Sequence, residues 1–192
     1  MNKRISSDRS LRAYIIGLAL GDGNLSNPNG RAVSLRITCD KKYPTLYSHI
    51  AKSIQELLPD NKVGVVNSTS YVNVYCYSNK WEEILGWKAK GGSKYHQKVR
   101  IPNWILKDPK FTKECLGGLV QTDGSIYQDR KYLMVNIVSN IPSLAKSIVV
   151  AIKSIGYKPN IQLHQDLFTL KHTIRISKDS KKFIDDIAVW KA

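Results

Sequence analysis

The chain carries one short pattern twice, as Ile16-Gly17-Leu18-Ala19-Leu20-Gly21-Asp22-Gly23 and as Gly117-Gly118-Leu119-Val120-Gln121-Thr122-Asp123-Gly124. In each copy, apolar residues and glycines at helical spacing lead to a single aspartate followed by glycine, the pattern of a helix that stops at a turn. Gly17 with Gly21, and Gly117 with Gly118, lack Cβ atoms. Two such helices can approach backbone to backbone, inside the roughly 8–10 Å axial separation that larger side chains enforce. That approach would bring the helix ends together and set Asp22 beside Asp123. Because the helix dipole disfavours a carboxylate at a C-terminus, two at equivalent places argue against plain turn residues.

The surroundings repeat as well. A proline-led helix start, Tyr43-Pro44-Thr45-Leu46, follows Asp22, and a helix closing at Trp87 comes after it. Asp123 is followed by Ile141-Pro142-Ser143-Leu144 and then Trp190, in the same order and at similar intervals. Between these landmarks the periodicity changes to two. Val33, Leu35, Ile37 and Cys39 alternate with Ser34, Arg36, Thr38 and Asp40, the pattern of a half-exposed strand. Residues Lys62 to Ser68 and Tyr71 to Tyr77 read as a hairpin with Val72, Val74 and Cys76 inward. In the second half, Tyr132 to Asn140 is strand-like, and Asn160 to His164 pairs with Phe168 to Ser177, where Phe168, Leu170, Ile174 and Ile176 face inward. Helices are predicted over Leu11 to Gly21, Pro44 to Leu58, Lys80 to Trp87, Lys113 to Gln121, Pro142 to Ile155 and Ser180 to Trp190, several opened by proline.

The fold class this predicts is α+β, built as two pseudo-symmetric αββαββα repeats with helices on one face of each sheet. The other face is left polar, basic and aromatic. Residues 1–87 read as the first repeat, 88–112 as a linker without a counterpart, and 113–192 as the second repeat.

Composition narrows the partners. Among 192 residues, 30 Lys+Arg against 15 Asp+Glu leave a formal charge of +15, shared between the halves, which favours a polyanion. Acidic helix tips inside so basic a chain suit divalent metal held beside a phosphate backbone, and few hard oxygen donors suit Mg²⁺. The three cysteines are odd in number and lack C-x-x-C spacing, so neither a disulfide framework nor a zinc site is indicated and a reducing, intracellular setting fits. The apolar run from Ala13 to Leu20 ends in Gly-Asp-Gly rather than a signal cleavage site, and no stretch approaches the roughly 18 apolar residues of a membrane span. Trp81, Trp87, Trp104 and Trp190 read as core. His49, His96, His164 and His172 lack ligand spacing.

The outward strand positions are candidate DNA readers. Asn24, Ser26, Asn27, Arg31, Ser34, Arg36, Thr38, Asn73, Tyr75 and Tyr77 supply the first half, and Ser125, Tyr127, Gln128, Arg130, Gln162, His164, Lys171, Thr173 and Arg175 the second. They combine side chains suited to guanine with others suited to adenine. Since the halves differ at almost every exposed position, the preferred site should be long and asymmetric.

The duplicated G-L-x-x-x-D-G helix ends, each followed by a ββαββα pattern, resemble the LAGLIDADG homing endonucleases in their single-chain, two-repeat form, over nearly the whole chain. The resemblance implies two sheets forming a saddle and a monomer without an obligatory protein partner. It also implies a Mg²⁺-dependent endonuclease, with Mn²⁺ or Ca²⁺ able to substitute in binding, that hydrolyses double-stranded DNA and serves intron homing. Asp22 and Asp123 would hold metal, with the backbone carbonyls of Gly21 and Thr122 as further ligands. A basic residue late in the repeat would neutralise charge on the phosphate: Lys98 lies at the matching stretch, with Lys94 and Arg100 as close competitors, and Arg100 also as a DNA contact. Leu20 and Gln121 stand where the family spells an earlier acidic residue, a position often not a metal ligand. The same scaffold also serves non-cleaving relatives, as an intron RNA maturase or a DNA-binding regulator.

Overall fold

A computed structural model describes residues 2–165 and 169–189. The order is α1 (Asn2–Leu20), β1 (Gly23–Ser26), β2 (Ser34–Asp40), α2 (Pro44–Leu57), β3 (Val63–Asn67), β4 (Tyr71–Tyr77) and α3 (Trp81–Leu85), then α4 (Asn103–Leu106), α5 (Pro109–Asp123), β5 (Gly124–Asp129), β6 (Tyr132–Ser139), α6 (Pro142–Ser154), β7 (Asn160–Gln165), β8 (Leu170–Ile176) and α7 (Ser180–Asp186). The strands form two four-stranded antiparallel sheets, ordered β1-β2-β4-β3 and β5-β6-β8-β7. The α+β two-repeat architecture read from the sequence is the one observed.

Local chemistry accounts for most element ends. Pro44, Pro109 and Pro142 open α2, α5 and α6, where the missing N–H costs nothing. Gly86, at φ 84°, lets its N–H reach the Glu82 carbonyl at 2.9 Å and stops α3. Two helices run longer than expected. Helix α1 begins at Asn2 rather than Leu11, and α5 begins at Pro109 rather than Lys113 because Asp108 caps it, accepting from the Lys110 N–H at 2.8 Å. The stretch expected as a linker therefore contributes α4 and the first turn of α5. Helix α7 stops at Asp186, short of Trp190, which lies with Phe168 outside the described residues.

Each sheet packs its apolar face on helices. In the first, the register aligns Leu35 with Cys76 and Ile37 with Val74, all fully buried. In the second, Val135 meets Ile176 and Ile137 meets Ile174 in the same way. Leu170 departs from expectation: it shares the inward phase yet is 38% exposed, because it begins β8 beside the wholly exposed edge strand β7. Trp81 and Trp87 are buried, with the Trp81 ring N–H donating to the Cys76 carbonyl at 2.9 Å, while Trp104 packs edge-on against Phe111.

Helices α1 and α5 form the seam between the halves. A Cβ on Gly17 would strike the Cys115 carbonyl of α5, and one on Gly118 would strike the Tyr14 carbonyl and lie 2.8 Å from the Leu18 nitrogen of α1. These two glycines hold equivalent places, five residues before Asp22 and Asp123. Gly117, expected as the partner of Gly118 in the seam, instead lies under the Ile187 carbonyl beyond α7. A buried hydrogen bond from the Tyr14 hydroxyl to Gln121 Oε1 at 2.6 Å ties the helices, and the Gln121 amide reaches on to the Ala188 carbonyl at 3.2 Å. Gln121 is therefore a structural cross-link.

The seam predicts unequal glycine sensitivity. Gly118→Ala should cost about 3 kcal/mol through backbone separation, lowering the melting temperature by roughly 6–12 °C in a chain this size. Gly117→Ala, whose Cβ would strike the backbone carbonyl of Ile187 but meets a turn rather than a second long helix, should cost less, about 1–2 kcal/mol. Thermal denaturation of both variants checks the ranking, and equal losses would contradict it.

Candidate metal centre and nucleic-acid interface

Because α1 and α5 converge at their C-termini, Asp22 and Asp123 emerge side by side and exposed. A Cβ on Gly21 would collide with Thr122 Oγ1 and come within 3.4 Å of the Asp123 carboxyl carbon. Glycine at position 21 is thus what lets the second carboxylate close on the first helix end. Both aspartates lead directly into strands, and Gly23 and Gly124 each pass so close over the preceding helical turn that a Cβ would strike Ala19 or Val120. The Asp22 carbonyl accepts from the Thr38 N–H at 3.4 Å, which extends the β1–β2 pairing back to the aspartate.

The linker delivers its cation through Lys94. The Lys94 ammonium donates to the carbonyls of Ala19 at 3.2 Å and Leu20 at 2.8 Å, and also to that of Gly21. It thereby satisfies three acceptors that the end of a helix leaves without partners. Burial pushes this lysine below its ordinary pKa, while the nearby Asp123 and then Asp22 oppose that shift. Lys98, another of the three candidates, is exposed and sits at φ 49° with no side-chain hydrogen bond among the described residues. The short loop turns at Lys98, whose N–H bonds the Tyr95 carbonyl at 3.0 Å. Arg100 is also exposed.

Two clefts flank the helix ends. One, of about 280 Å³, is lined by Leu20, Gly21, Lys94, Asp123, Ser139, Asn140 and Lys171 among others. The other, of about 240 Å³, is lined by Asp40, Lys42, Tyr43, Gly124, Ser125 and Ile126. The first joins both helix ends to the turn before α6, and the second joins the start of β5 to the turn before α2 of the other repeat. Lys171, expected only as a reader on the sheet, lies in the first cleft with Asp123. Lys42, which sequence reasoning missed, lines the second and is paired with Asp40 at 2.9 Å, a contact that raises its pKa. The repeat alignment carried the signal, because Lys42 and Asn140 both stand just before the proline-led starts.

The donor set at the helix ends fits a hard divalent ion. It offers two carboxylates and the carbonyls of Gly21 and Thr122, all hard oxygen donors, with the Lys94 ammonium already on the Gly21 carbonyl. Among the described residues no group of three or more His, Cys, Asp or Glu could hold a metal. An ion here would need oxygens from a phosphate, as Mg²⁺ commonly does.

The open sheet faces hold most expected readers. Asn24 lies opposite Arg36, Ser26 opposite Ser34, and Thr38 opposite Asn73, with Thr38 Oγ1 donating to Asn73 Oδ1 at 2.8 Å. Ser26, Ser34, Arg36, Asn73, Tyr75 and Tyr77 line a concavity of about 240 Å³ together with Val66. Arg31 is exposed in the β1–β2 loop, and Asn27 beside it has a buried Oδ1 without a hydrogen-bond partner among the described residues. On the second sheet, Ser125, Tyr127, Gln162, His164, Thr173 and Arg175 share the open face with Lys171, and Arg130 occupies the β5–β6 turn at φ 53°. Gln128 does not join them: it pairs with Leu133 and alternates with Tyr127, so the pleat puts it in phase with Ile126 on the helix side. Asn136, not foreseen, stands on the open face between Ser125 and Arg175.

Lys94→Met should destabilise the fold by about 2 kcal/mol, the scale of hydrogen bonds to a charged group. In an Asp123→Asn background the loss should shrink by about 0.5–1 kcal/mol, since less negative charge then needs offsetting. Urea denaturation of the four-member cycle measures the coupling, and strict additivity would remove Asp123 from the account of Lys94.

No protein-family model matches the sequence, and a sequence search of curated proteins returns no match. Solved structures do match. The homing endonuclease I-DmoI in complex with DNA and Mn aligns over 94% of this chain and 97% of that chain, at a TM-score of 0.68 and 19% identity. Its mesophilic variants align at 0.69 and 18%, covering 94% of this chain and 96% of that one. The N-terminal LAGLIDADG domain of WhiA aligns at 0.66 and 14%, covering 95% of this chain and 84% of that one. The chain has the fold of these proteins, the two-repeat LAGLIDADG fold.

Proposed function

We propose that this chain is a single-chain, site-specific DNA endonuclease of the LAGLIDADG type, acting on a long asymmetric duplex site with Mg²⁺ and without a protein partner. One observation carries the reading: two exposed carboxylates meet at adjoining helix ends, between two open sheet faces of a chain with net charge +15. The similarity to I-DmoI complexes with DNA and Mn, Ca or Mg supports it.

The chain's own groups have separable tasks. The sheet faces bind and orient the duplex so that the scissile phosphates fall at the seam. Asp22 and Asp123, with the Gly21 and Thr122 carbonyls, would hold divalent metal there, which would supply activation of water and stabilisation of the leaving oxygen. Lys94 keeps positive charge beside both carboxylates and against the end of α1. In the cleft next to it, Lys171 adds a cation on the Asp123 side, while Lys42 across the seam is matched by Asp40, so the two strands of the duplex meet unlike surroundings.

A second reading rests on the comparable match to the WhiA domain: the same saddle used as a nucleic-acid-binding module without cleavage. The deciding experiment selects cleaved and bound molecules from a randomised duplex library. With Mg²⁺ the protein should cut both strands at one enriched site, and Asp22→Asn or Asp123→Asn should lower cutting at least ~100-fold while binding in Ca²⁺ persists. Enrichment by binding with no metal-dependent cut would establish the second reading instead. Affinity should also fall with salt, each neutralised phosphate contributing a slope of about −0.9 in log K against log salt. A flat titration would leave the basic faces without a role.

A further inference from the structure

The second sheet's open face carries one arginine whose position is already fixed. Ser125 on β5, Asn136 on β6, Arg175 on β8 and Asn160 on β7 lie opposite one another in a single row across all four strands. Within it, Arg175 Nε donates to Asn136 Oδ1 at 3.1 Å, and Asn136 Nδ2 donates to the Tyr127 hydroxyl at 3.0 Å. Both ends of the Asn136 carboxamide are therefore used in one sense: its oxygen must face the guanidinium, since its NH₂ there would meet donor with donor. The Nε bond uses one of the five N–H donors of the guanidinium, and four remain on Nη1 and Nη2.

Guanine presents O6 and N7 as two acceptors in the major groove, and a guanidinium answers them with two parallel donors. A free arginine must give up side-chain entropy to do so, whereas a tethered, half-buried one has already lost much of it. The equivalent row of the first sheet runs Asn24, Arg36, Tyr75, Gly64. Its arginine is exposed and has no side-chain hydrogen bond among the described residues. The two halves thus carry arginines of different kinds.

Resting on the DNA-binding reading above, we propose that Arg175 reads a guanine in the half-site bound by the second sheet, with Asn136, anchored by Tyr127, as its positioning residue. Arg175 sets which base is taken, and Asn136 sets how strictly. The tether also explains why an asparagine stands in the middle of β6: it spans from the β5 tyrosine to the β8 arginine.

The test is binding selection from a randomised duplex library in Ca²⁺, comparing the parent protein with Arg175→Lys, Arg175→Ala, Asn136→Leu and Asn136→Asp, each shown folded by circular dichroism. The parent should enrich a motif in which one G·C pair depends on Arg175. Guanine preference there should fall ~10-fold or more in both Arg175 variants, with the other positions unchanged. Arg175→Lys should keep the parent's salt slope, because the charge remains without the fork. Asn136→Leu should weaken the same preference, and Asn136→Asp, which retains an acceptor for Nε, should restore most of it. An unchanged motif in the Arg175 variants overturns the assignment. An Asn136→Leu profile equal to the parent's, or one relaxed evenly at all positions, overturns the positioning role. If the parent enriches no motif at all, the DNA-recognition reading falls and takes this inference with it.

Discussion

The close contact of α1 with α5 is the constraint on which the rest of the molecule depends. Gly17 under the Cys115 carbonyl and Gly118 under the Tyr14 carbonyl remove the atoms that would hold the axes apart, so the helices meet along their backbones. Three consequences follow from one approach. The carboxylates emerge together, the sheets are fixed side by side because each aspartate runs straight into the first strand of its sheet, and the core is continuous from one half to the other. A shift of either helix would move the site and both sheets at once. The Tyr14–Gln121 hydrogen bond guards against sliding along the seam, since it is fully buried and has a single geometry.

Around this symmetric joint the chain is systematically unequal. Gly21 and Thr122 occupy equivalent places but differ in kind, because the glycine makes room for the threonine hydroxyl that turns back to the carbonyls of Gly118 and Leu119. Only one helix end receives Lys94, and the flanking clefts are lined by different cations. A homodimer would have to place the same groups on both sides. Fusion of the repeats into one chain lets the two halves differ, and the contrast between Arg175, tethered to Asn136, and the untethered Arg36 of the first sheet is one such difference.

The architecture was legible because its signals are local or repeated. Proline-led helix starts, period-two strands and the duplicated glycine-aspartate ends each follow from short-range rules, and together they predict that Asp22 and Asp123 meet. What failed was long-range or depended on a competing local signal. The Asp108-Pro109 start of α5 obeys the same capping rule as the others but was hidden inside a basic stretch read as linker. Gly117 looked like a seam residue because it adjoins Gly118, yet one step around a helix is about 100°, which turns it toward Ile187. Gln128 follows Tyr127 directly in sequence, and the pleat of β5 puts the two on opposite faces. That Lys94 rather than Lys98 contacts the end of α1 is invisible to spacing, since it depends on how a loop closes over a helix end that lies 73 residues earlier in the chain. Asn136 escaped notice because its partners lie on two other strands.

Lys94 also resolves an electrostatic difficulty that the sequence alone poses. The end of α1 presents carbonyl oxygens carrying the negative pole of the helix, and two carboxylates are set beside it, an arrangement that repels itself. Surface cations elsewhere would offset little of this, because charges beyond about 8 Å are largely screened at physiological ionic strength. A single ammonium donating to three successive carbonyls acts at contact distance and within a partly buried setting, where the same charge counts for more. Its burial is unfavourable for the charged form, and Asp123 and then Asp22 offset part of that effect. The acidic tips and the buried lysine therefore favour one another, and together they set a concentrated negative centre inside a protein of net charge +15.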